Sequence, residues 1–166
     1  MTAVSRAEAE EHLRLWIETL RTTTDEQSTG LLARQEAEED TVGYCCLGIG
    51  CKIAGIAHVK SEPVEDGEVE VHHYFDGCDE LAPPAFVEWL GFETGEKGNS
   101  GVGFDLQLAV PDARNMSVSD RPDMWRDRKG TPLRNLLSAA EMNDSLHLTF
   151  PQIADCVAYF GIEGTA

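Results

Sequence analysis

The sequence has few positively charged residues. It contains 13 Lys and Arg against 30 Asp and Glu, which gives a formal net charge of −17 over 166 residues. A surface of this sign repels the phosphates of nucleic acids and the head groups of anionic lipids. The shortage of basic residues therefore argues against generic binding to nucleic acid or membrane, and it favours a basic protein or a cationic ligand as the partner.

Long hydrophobic runs are also missing. No stretch approaches the roughly 20 consecutive apolar residues of a transmembrane helix. The N-terminal sequence MTAVSRAEAEEHLRLW lacks the basic-then-apolar order of a secretory signal. We therefore expect a cytoplasmic protein with no membrane association. The length suits one compact domain, residues 1–166, which can bury a core without disulfides or metals.

The sequence lacks the motifs of common cofactor sites. Its five cysteines include no Cys-x-x-Cys pair, which is the spacing that structural zinc sites usually have. The glycines at positions 95, 98, 101 and 103 are not followed by the Gly-Lys-Ser/Thr ending of a phosphate-binding loop. We therefore expect neither a metal nor a cofactor, and in a reducing cytosol we expect most of the cysteines to be thiols.

Helical spacing of apolar residues predicts four to five short helices. The first begins at a capping box, Ser5 and Glu8, and carries an apolar stripe. That stripe consists of Leu13, Trp16, Ile17 and Leu20. Residues 46–57 are small and apolar and suit a buried helix, although each of their three glycines costs about 1 kcal/mol there. A third helix is predicted behind Pro83 and Pro84, with Gly91 as its C-terminal cap.

Two further helices are predicted near the C-terminus. One follows Pro132, with an alternative start at Ser138 that would make it a single turn, and Asn143 is its expected left-handed terminator. The last begins at a second capping box, Thr149 and Gln152. It carries Ile153, Val157 and Phe160 and ends at Gly161.

Alternation of apolar and polar residues predicts the strands. Residues 68–75 place His73 and Phe75 on an apolar face and His72 on a wet face, and residues 102–110 alternate in the same way. Residues 31–34 and 42–45 are expected to form a hairpin around an acidic turn. The order of helices and strands predicts an α+β fold with a small antiparallel sheet.

A distinctive motif lies at Gly43-Tyr44-Cys45-Cys46-Leu47-Gly48 and is followed by Cys51. It resembles a family of small proteins of unknown function that are encoded by bacteriophages and prophages. That family also shares a Trp-Leu-Gly helix end and an Asn-Asp turn before a final helix, which Trp89-Leu90-Gly91 and Asn143-Asp144 match here. The resemblance spans nearly the whole chain, although residues 58–128 match little beyond the Trp-Leu-Gly helix end. It implies a phage or prophage origin and the cytoplasm of the host bacterium, and it supplies no catalytic residues.

The cysteine motif has two interpretations that involve no reaction. In the first, Cys45, Cys46 and Cys51 are small buried hydrophobic residues, since free cysteine is among the most buried residue types. In the second, Cys51 and either Cys45 or Cys46 bind a metal with two further ligands from Cys78, His58, His72 or His73, although the missing Cys-x-x-Cys pair argues against this.

A third interpretation makes Cys46 a nucleophile. A thiol at the N-terminus of a helix gains thiolate character, as in papain-like hydrolases, and His58, His72 or His73 would be the base. The short interval between Cys46 and His58 argues against such a site. Otherwise His73 is expected to be a hydrogen-bonded core histidine, and His72 a surface residue or a modest pH-responsive group.

Two charged segments are candidate binding surfaces. Residues 121–134 are basic and contain four candidate recognition residues, Trp125, Arg126, Arg128 and Lys129. Alternatively, these basic residues pair with the acidic first half of the chain, where residues 1–80 hold 18 acidic and 6 basic side chains. The acidic candidates are Glu36, Glu38, Glu39 and Asp40, whose alternative is a solvated turn.

No motif in the chain specifies a reaction. We therefore predict a non-enzymatic phage accessory protein that binds and modulates a host protein through its acidic surface, in host takeover or counter-defence. One alternative is a protein that binds a small nucleotide-type signal through Trp125 and the neighbouring arginines. The other is a papain-like thiol hydrolase that uses Cys46.

Overall fold

The computed structural model describes residues 4–36, 38–61, 70–91, 139–144 and 147–158. The helices of this part of the chain are α1 (Arg6–Thr22), α2 (Cys46–Ile53), α3 (Pro84–Trp89), α4 (Ala139–Asp144) and α5 (Phe150–Ala158). The strands are β1 (Glu26–Gln27), β2 (Ala33–Glu36), β3 (Gly43–Tyr44), β4 (His58–Lys60) and β5 (Glu70–Phe75). Helices and sheet contribute to one hydrophobic cluster, and the predicted α+β class is confirmed.

The strands form a single sheet in the order β1-β3-β2-β5-β4. The pairs β2–β3, β2–β5 and β4–β5 are antiparallel, as the sequence predicts. At one edge, β1 instead runs parallel to β3, with Glu26 beside Gly43. The sheet is therefore mixed, and this edge departs from the antiparallel prediction because a strand of two residues has no alternation that a sequence pattern could reveal.

Helix α1 has the predicted N-terminus. The Ser5 hydroxyl accepts from the Glu8 N–H, and the Glu8 carboxylate accepts from the Ser5 N–H at 2.9 Å, which completes the capping box. The predicted apolar stripe is buried, and Trp16 is fully enclosed. Its indole N–H donates to the Cys46 carbonyl at 3.0 Å. This bond joins α1 to the first residue of α2.

Helix α2 ends at Ile53, earlier than the predicted residue 57. Its glycines lie where neighbouring elements approach the helix closely. A Cβ on Gly48 would lie 1.7 Å from the Leu32 carbonyl oxygen, and one on Gly50 would lie 2.2 Å from the Phe86 ring. The glycines that weaken the helix therefore allow α3 and Leu32, the residue before β2, to pack against it.

The predicted alternation of β5 is confirmed, because Val71, His73 and Phe75 are buried. Helix α3 begins at Pro84 as predicted. After its last turn, Gly91 has a φ of +77°, the left-handed conformation that glycine adopts without strain. A Cβ at Gly91 would also meet the Cβ of Ala9 at 2.4 Å, so this glycine allows the end of α3 to approach α1.

Of the predictions for the C-terminal helices, the second capping box is confirmed and the role of Asn143 is wrong. At the start of α5, the Thr149 hydroxyl accepts from the Gln152 N–H and the Gln152 side chain accepts from the Thr149 N–H, so the second capping box is confirmed. Asn143, however, is not a left-handed terminator, because it lies within α4 with a buried side chain. Between the described parts of α4 and α5, His147 has a positive φ of 52°.

Other predictions lie outside the described residues. These are the strand at residues 102–110, the basic segment 121–134 and the part of the C-terminal helices before Ala139 or after Ala158.

Candidate functional site

The cysteine motif lies at the junction of β3 and α2. Cys45 is the N-cap of α2, and its sulfur accepts from the Gly48 N–H at 3.4 Å. Burial raises the pKa of the Cys45 thiol to about 12, although hydrogen bonds from backbone N–H groups act in the opposite direction. The thiol is therefore protonated near neutral pH, and it caps a helix.

Cys46, the candidate nucleophile, is fully enclosed. It occupies the first position of α2, as the nucleophile interpretation requires, but burial raises the pKa of its thiol well above the ordinary value. At Cys46, the loss of solvation raises the pKa by more than the helix N-terminus lowers it. Its S–H donates to the Ala139 carbonyl at 3.3 Å. In the described part of the chain, no histidine forms a hydrogen bond with this thiol.

The Asn-Asp motif is joined directly to the cysteine motif. The Asn143 amide oxygen accepts from the Cys46 N–H at 3.3 Å and from the Gln27 amide at 2.9 Å. The Asn143 amide group donates to the Ser28 carbonyl at 2.8 Å. Two of the motifs on which the resemblance to the phage family is based therefore meet in one polar network inside the core. Their contacts hold α4, α2 and the β1 edge together.

The Trp-Leu-Gly motif also contributes to packing. The Trp89 ring stacks on His12 with ring centroids 4.2 Å apart, and the His12 ring nitrogen Nδ1 hydrogen-bonds to the Trp89 carbonyl. Leu90 is buried. This motif fixes α3 against α1.

Two of the candidate histidines form a direct pair. His58 Nε2 lies 2.8 Å from His73 Nδ1, and the two rings are within 15° of parallel. His73 is 3% exposed, whereas His58 is exposed and stacks on Phe75. His73 is therefore the hydrogen-bonded core histidine that the sequence predicts, although its partner is a second histidine.

A buried glutamine extends this pair to the acidic turn. His73 Nε2 lies 2.9 Å from the Gln35 amide oxygen, and the Gln35 amide group donates to the Glu39 carbonyl at 2.7 Å. Burial, and secondarily the nearby His58 and Lys60, lower the pKa of His73. We call the chain His58–His73–Gln35–Glu39 the histidine link.

The sequence prediction does not include Gln35. The signal that could have identified it is its position two residues after Ala33 in β2, on the buried face of an alternating strand. Using that signal requires the correct register, and the predicted strand began two residues too early. A polar residue at an inward position needs a hydrogen-bond partner, and here the partners are His73 and the turn.

The acidic candidates are exposed at the end of β2 and in the turn that follows it. They are Glu36, Glu38, Glu39 and Asp40, and we call them the acidic turn. The Glu39 N–H donates to the Glu36 carbonyl at 3.0 Å, which closes the turn. The structure therefore brings the acidic turn and the His58–His73 pair, which the sequence suggested separately, into one connected unit.

Three ion pairs between described residues lie elsewhere. Arg14 pairs with Glu10 along α1, Arg21 with Asp155, and Lys52 with Asp25, each at 2.8 Å. Within the described ranges, none of these three pairs uses a carboxylate of the acidic turn. The proposed basic recognition residues Trp125, Arg126, Arg128 and Lys129 lie outside those ranges, so their pairing with the acidic half remains a prediction.

The described residues form neither a metal-binding cluster nor a membrane span. Among them, no group of three or more His, Cys, Asp or Glu side chains could hold a metal ion. No helix in the same ranges is long and apolar enough to cross a membrane. No family model matches the chain, and comparison with curated proteins and with solved structures returns no significant similarity.

Proposed function

We propose that this protein is a non-enzymatic accessory protein of phage or prophage origin that binds and modulates a basic host protein through its acidic turn. It acts in the cytoplasm of the host bacterium, in host takeover or counter-defence. The phage origin and the compartment rest on the resemblance of the cysteine, Trp-Leu-Gly and Asn-Asp motifs.

The proposed binding function is based on one observation. The thiols of the distinctive motif are enclosed, whereas the four carboxylates of the acidic turn are all exposed. A group that recognises a partner must be accessible, and the sulfur atoms of Cys45 and Cys46 are not. The motif cysteines are hydrogen-bonded within the core. The accessible chemistry of this region is therefore negative charge.

The chemistry of the acidic turn defines the partner. Carboxylates form their strongest hydrogen bonds with Arg and Lys, and an exposed cluster of them steers a positively charged surface during association. Such attraction extends over about 8–10 Å at physiological ionic strength and weakens as salt is added. We expect the partner to present several Arg or Lys side chains on one surface, and binding to decrease with salt.

A pull-down with a charge-matched control tests this function. Glu38→Gln/Glu39→Gln removes two charges from the acidic turn, and Glu11→Gln/Glu18→Gln removes two exposed charges from α1. Lysate of a bacterial host is applied to each immobilised protein at low and at normal salt. We expect the wild type and the α1 variant to retain the same host protein. The turn variant should retain about 5–10-fold less, which corresponds to roughly 0.5–0.7 kcal/mol per charge.

Two results would contradict the proposal. Capture of no host protein at either salt concentration contradicts the binding function itself. Equal loss of capture in the two variants shows that total charge matters and that the acidic turn is not the contact surface.

The thiol-hydrolase alternative requires a Cys46 thiolate beside an imidazole. The Cys46 S–H instead donates to Ala139, and His73 is occupied by His58 and Gln35. The geometry of the described residues therefore favours the binding function.

A further inference from the structure

The histidine link has a defined direction of hydrogen bonding. The Glu39 carbonyl can only accept, so the amide group of Gln35 donates to it and the Gln35 oxygen faces His73. That oxygen in turn requires an N–H at His73 Nε2. In a neutral ring the other nitrogen, His73 Nδ1, is then a lone-pair acceptor, and it faces His58 Nε2 at 2.8 Å. His58 therefore donates from Nε2.

This arrangement accepts one proton without breaking a bond. The first proton binds His58 at Nδ1, because the exposed His58 ring can be hydrated and its Nε2–H continues to donate to His73. A second proton can bind only His73 Nδ1. Two N–H groups would then face each other at 2.8 Å, where a hydrogen bond is impossible.

The surroundings of His73 oppose the second proton as well. Lys60 of β4 lies directly opposite His73 in the sheet, and a protonated His58 adds a second positive charge. From β2, the inward neighbour is the uncharged Gln35, whereas Arg34 and Glu36 alternate to the other face of the strand. Asp76 follows β5, and its N–H donates to the Ala57 carbonyl. A charged imidazole in this position must move toward water, because a buried charge without a partner is costly.

Movement of His73 separates it from Gln35, and Gln35 is the side chain that holds the Glu39 carbonyl. We propose that the histidine link is a proton-sensitive device that holds the acidic turn while the His58–His73 pair carries no proton or one proton, and releases it when the pair binds a second. This inference rests on the proposed function in one respect: release of the acidic turn would regulate binding to the basic partner. The link itself is independent of any partner.

Nuclear magnetic resonance of the full chain, with ¹⁵N-labelled histidine and backbone and without a partner, tests the link between pH 8 and pH 4.5. We expect His58 to protonate first while His73 keeps its Nε2–H form. At lower pH, protonation of His73 and displacement of the amide signals of Glu38, Glu39 and Asp40 should share one midpoint. Protonation of His73 before His58, or amide signals that do not follow His73, would overturn the proposal.

Three variants separate the link from general acid effects. His58→Gln retains a donor for His73 but removes a titrating charge, so the His73 midpoint should move upward by about one pH unit. Gln35→Leu breaks the link, so His73 should still titrate while the signals of the acidic turn no longer follow it. His72→Gln, on the opposite face of β5, should leave unchanged both the titration of His73 and the response of the acidic-turn signals. Signals of α1 show whether each variant is folded.

The outcomes also distinguish this inference from the proposed function. A coupled titration together with a failed pull-down supports the link and rejects the basic partner. Uncoupled titration together with selective capture supports the partner and rejects the link.

Discussion

The side chain of Asn143 accepts a hydrogen bond from the backbone of Cys46, 97 residues earlier in the chain, at 3.3 Å. Asn143 is fully buried, and its amide also contacts Gln27, Ser28 and the adjacent Asp144 carboxylate. One side chain therefore satisfies polar groups from the start of α2 and from the β1 edge. The cysteine motif and the Asn-Asp motif are therefore joined through this side chain.

Replacement of Asn143 by Ala should destabilise the protein severely. It leaves the Cys46 N–H and the Ser28 carbonyl without their partner, and each unsatisfied buried group costs about 1–3 kcal/mol. We expect the free energy of unfolding, measured by urea denaturation, to fall by about 3–5 kcal/mol. Glu11→Ala, at an exposed position of α1, should stay within about 0.5 kcal/mol of the wild type. Equal effects of the two substitutions would show that the network is not structural.

Gly48→Ala should be destabilising although alanine favours helices by about 1 kcal/mol. The new Cβ would lie 1.7 Å from the Leu32 carbonyl oxygen, so the backbone of Leu32 and α2 must separate. We expect a loss of about 3 kcal/mol or more, and a decrease in Tm of at least about 6 °C.

Gly55→Ala is the matched control for Gly48→Ala. Gly55 has a φ of +67° and open space around its Cβ position, so alanine there costs only the left-handed conformation, about 1–2 kcal/mol. A larger decrease in Tm for Gly55→Ala than for Gly48→Ala would contradict the close packing of the Leu32 backbone against α2.

Alkylation by iodoacetamide should distinguish the cysteines. Among the described thiols, Cys78 is partly exposed and the other four are buried. At pH 8 we expect Cys78 to react first, as measured by peptide mass spectrometry, and Cys45 and Cys46 to react only after denaturation. Burial also raises the pKa of Cys78, so its reaction should be slow compared with a free thiol. Labelling of Cys46 as fast as Cys78 in the folded protein would revive the hydrolase interpretation.

Stability should decrease on acidification through the histidine range. The pKa of His73 is lowered in the folded state, mainly by burial, while an unfolded histidine titrates near pH 6.5. Below about pH 6.5 the unfolded chain therefore binds a proton that the folded chain excludes, and this shifts the equilibrium toward unfolding. We expect the urea midpoint to be constant between about pH 7 and pH 8 and to fall from about pH 6.5 downward.

His73→Gln tests the origin of this pH dependence. Between pH 7 and pH 5, the urea midpoint of this variant should decline less steeply than that of the wild type, whatever the stability of the variant at pH 8. His72→Gln should keep the decline of the wild type. If the urea midpoints of both variants declined as steeply as that of the wild type, His73 would not be the source of the decline.

Much of the fold follows from local patterns. The capping boxes at Ser5 and Thr149 and the alternation of β5 were predicted correctly, because each depends on residues a few positions apart. The prediction of Asn143 as a terminator was wrong, since the local preference of asparagine for left-handed conformations is outweighed by hydrogen bonds to distant residues.

By itself, the sequence determined the α+β class, the excess of negative charge and the identity of the candidate groups, because these depend on composition and short-range spacing. Only the tertiary structure decided which groups meet. It enclosed Cys46 next to Ala139 and connected His58 and His73 to the acidic turn through Gln35. The physical reason is that burial and strand register set both the protonation of a thiol and the partner of a buried amide, and both arise from contacts between residues that are distant in the chain.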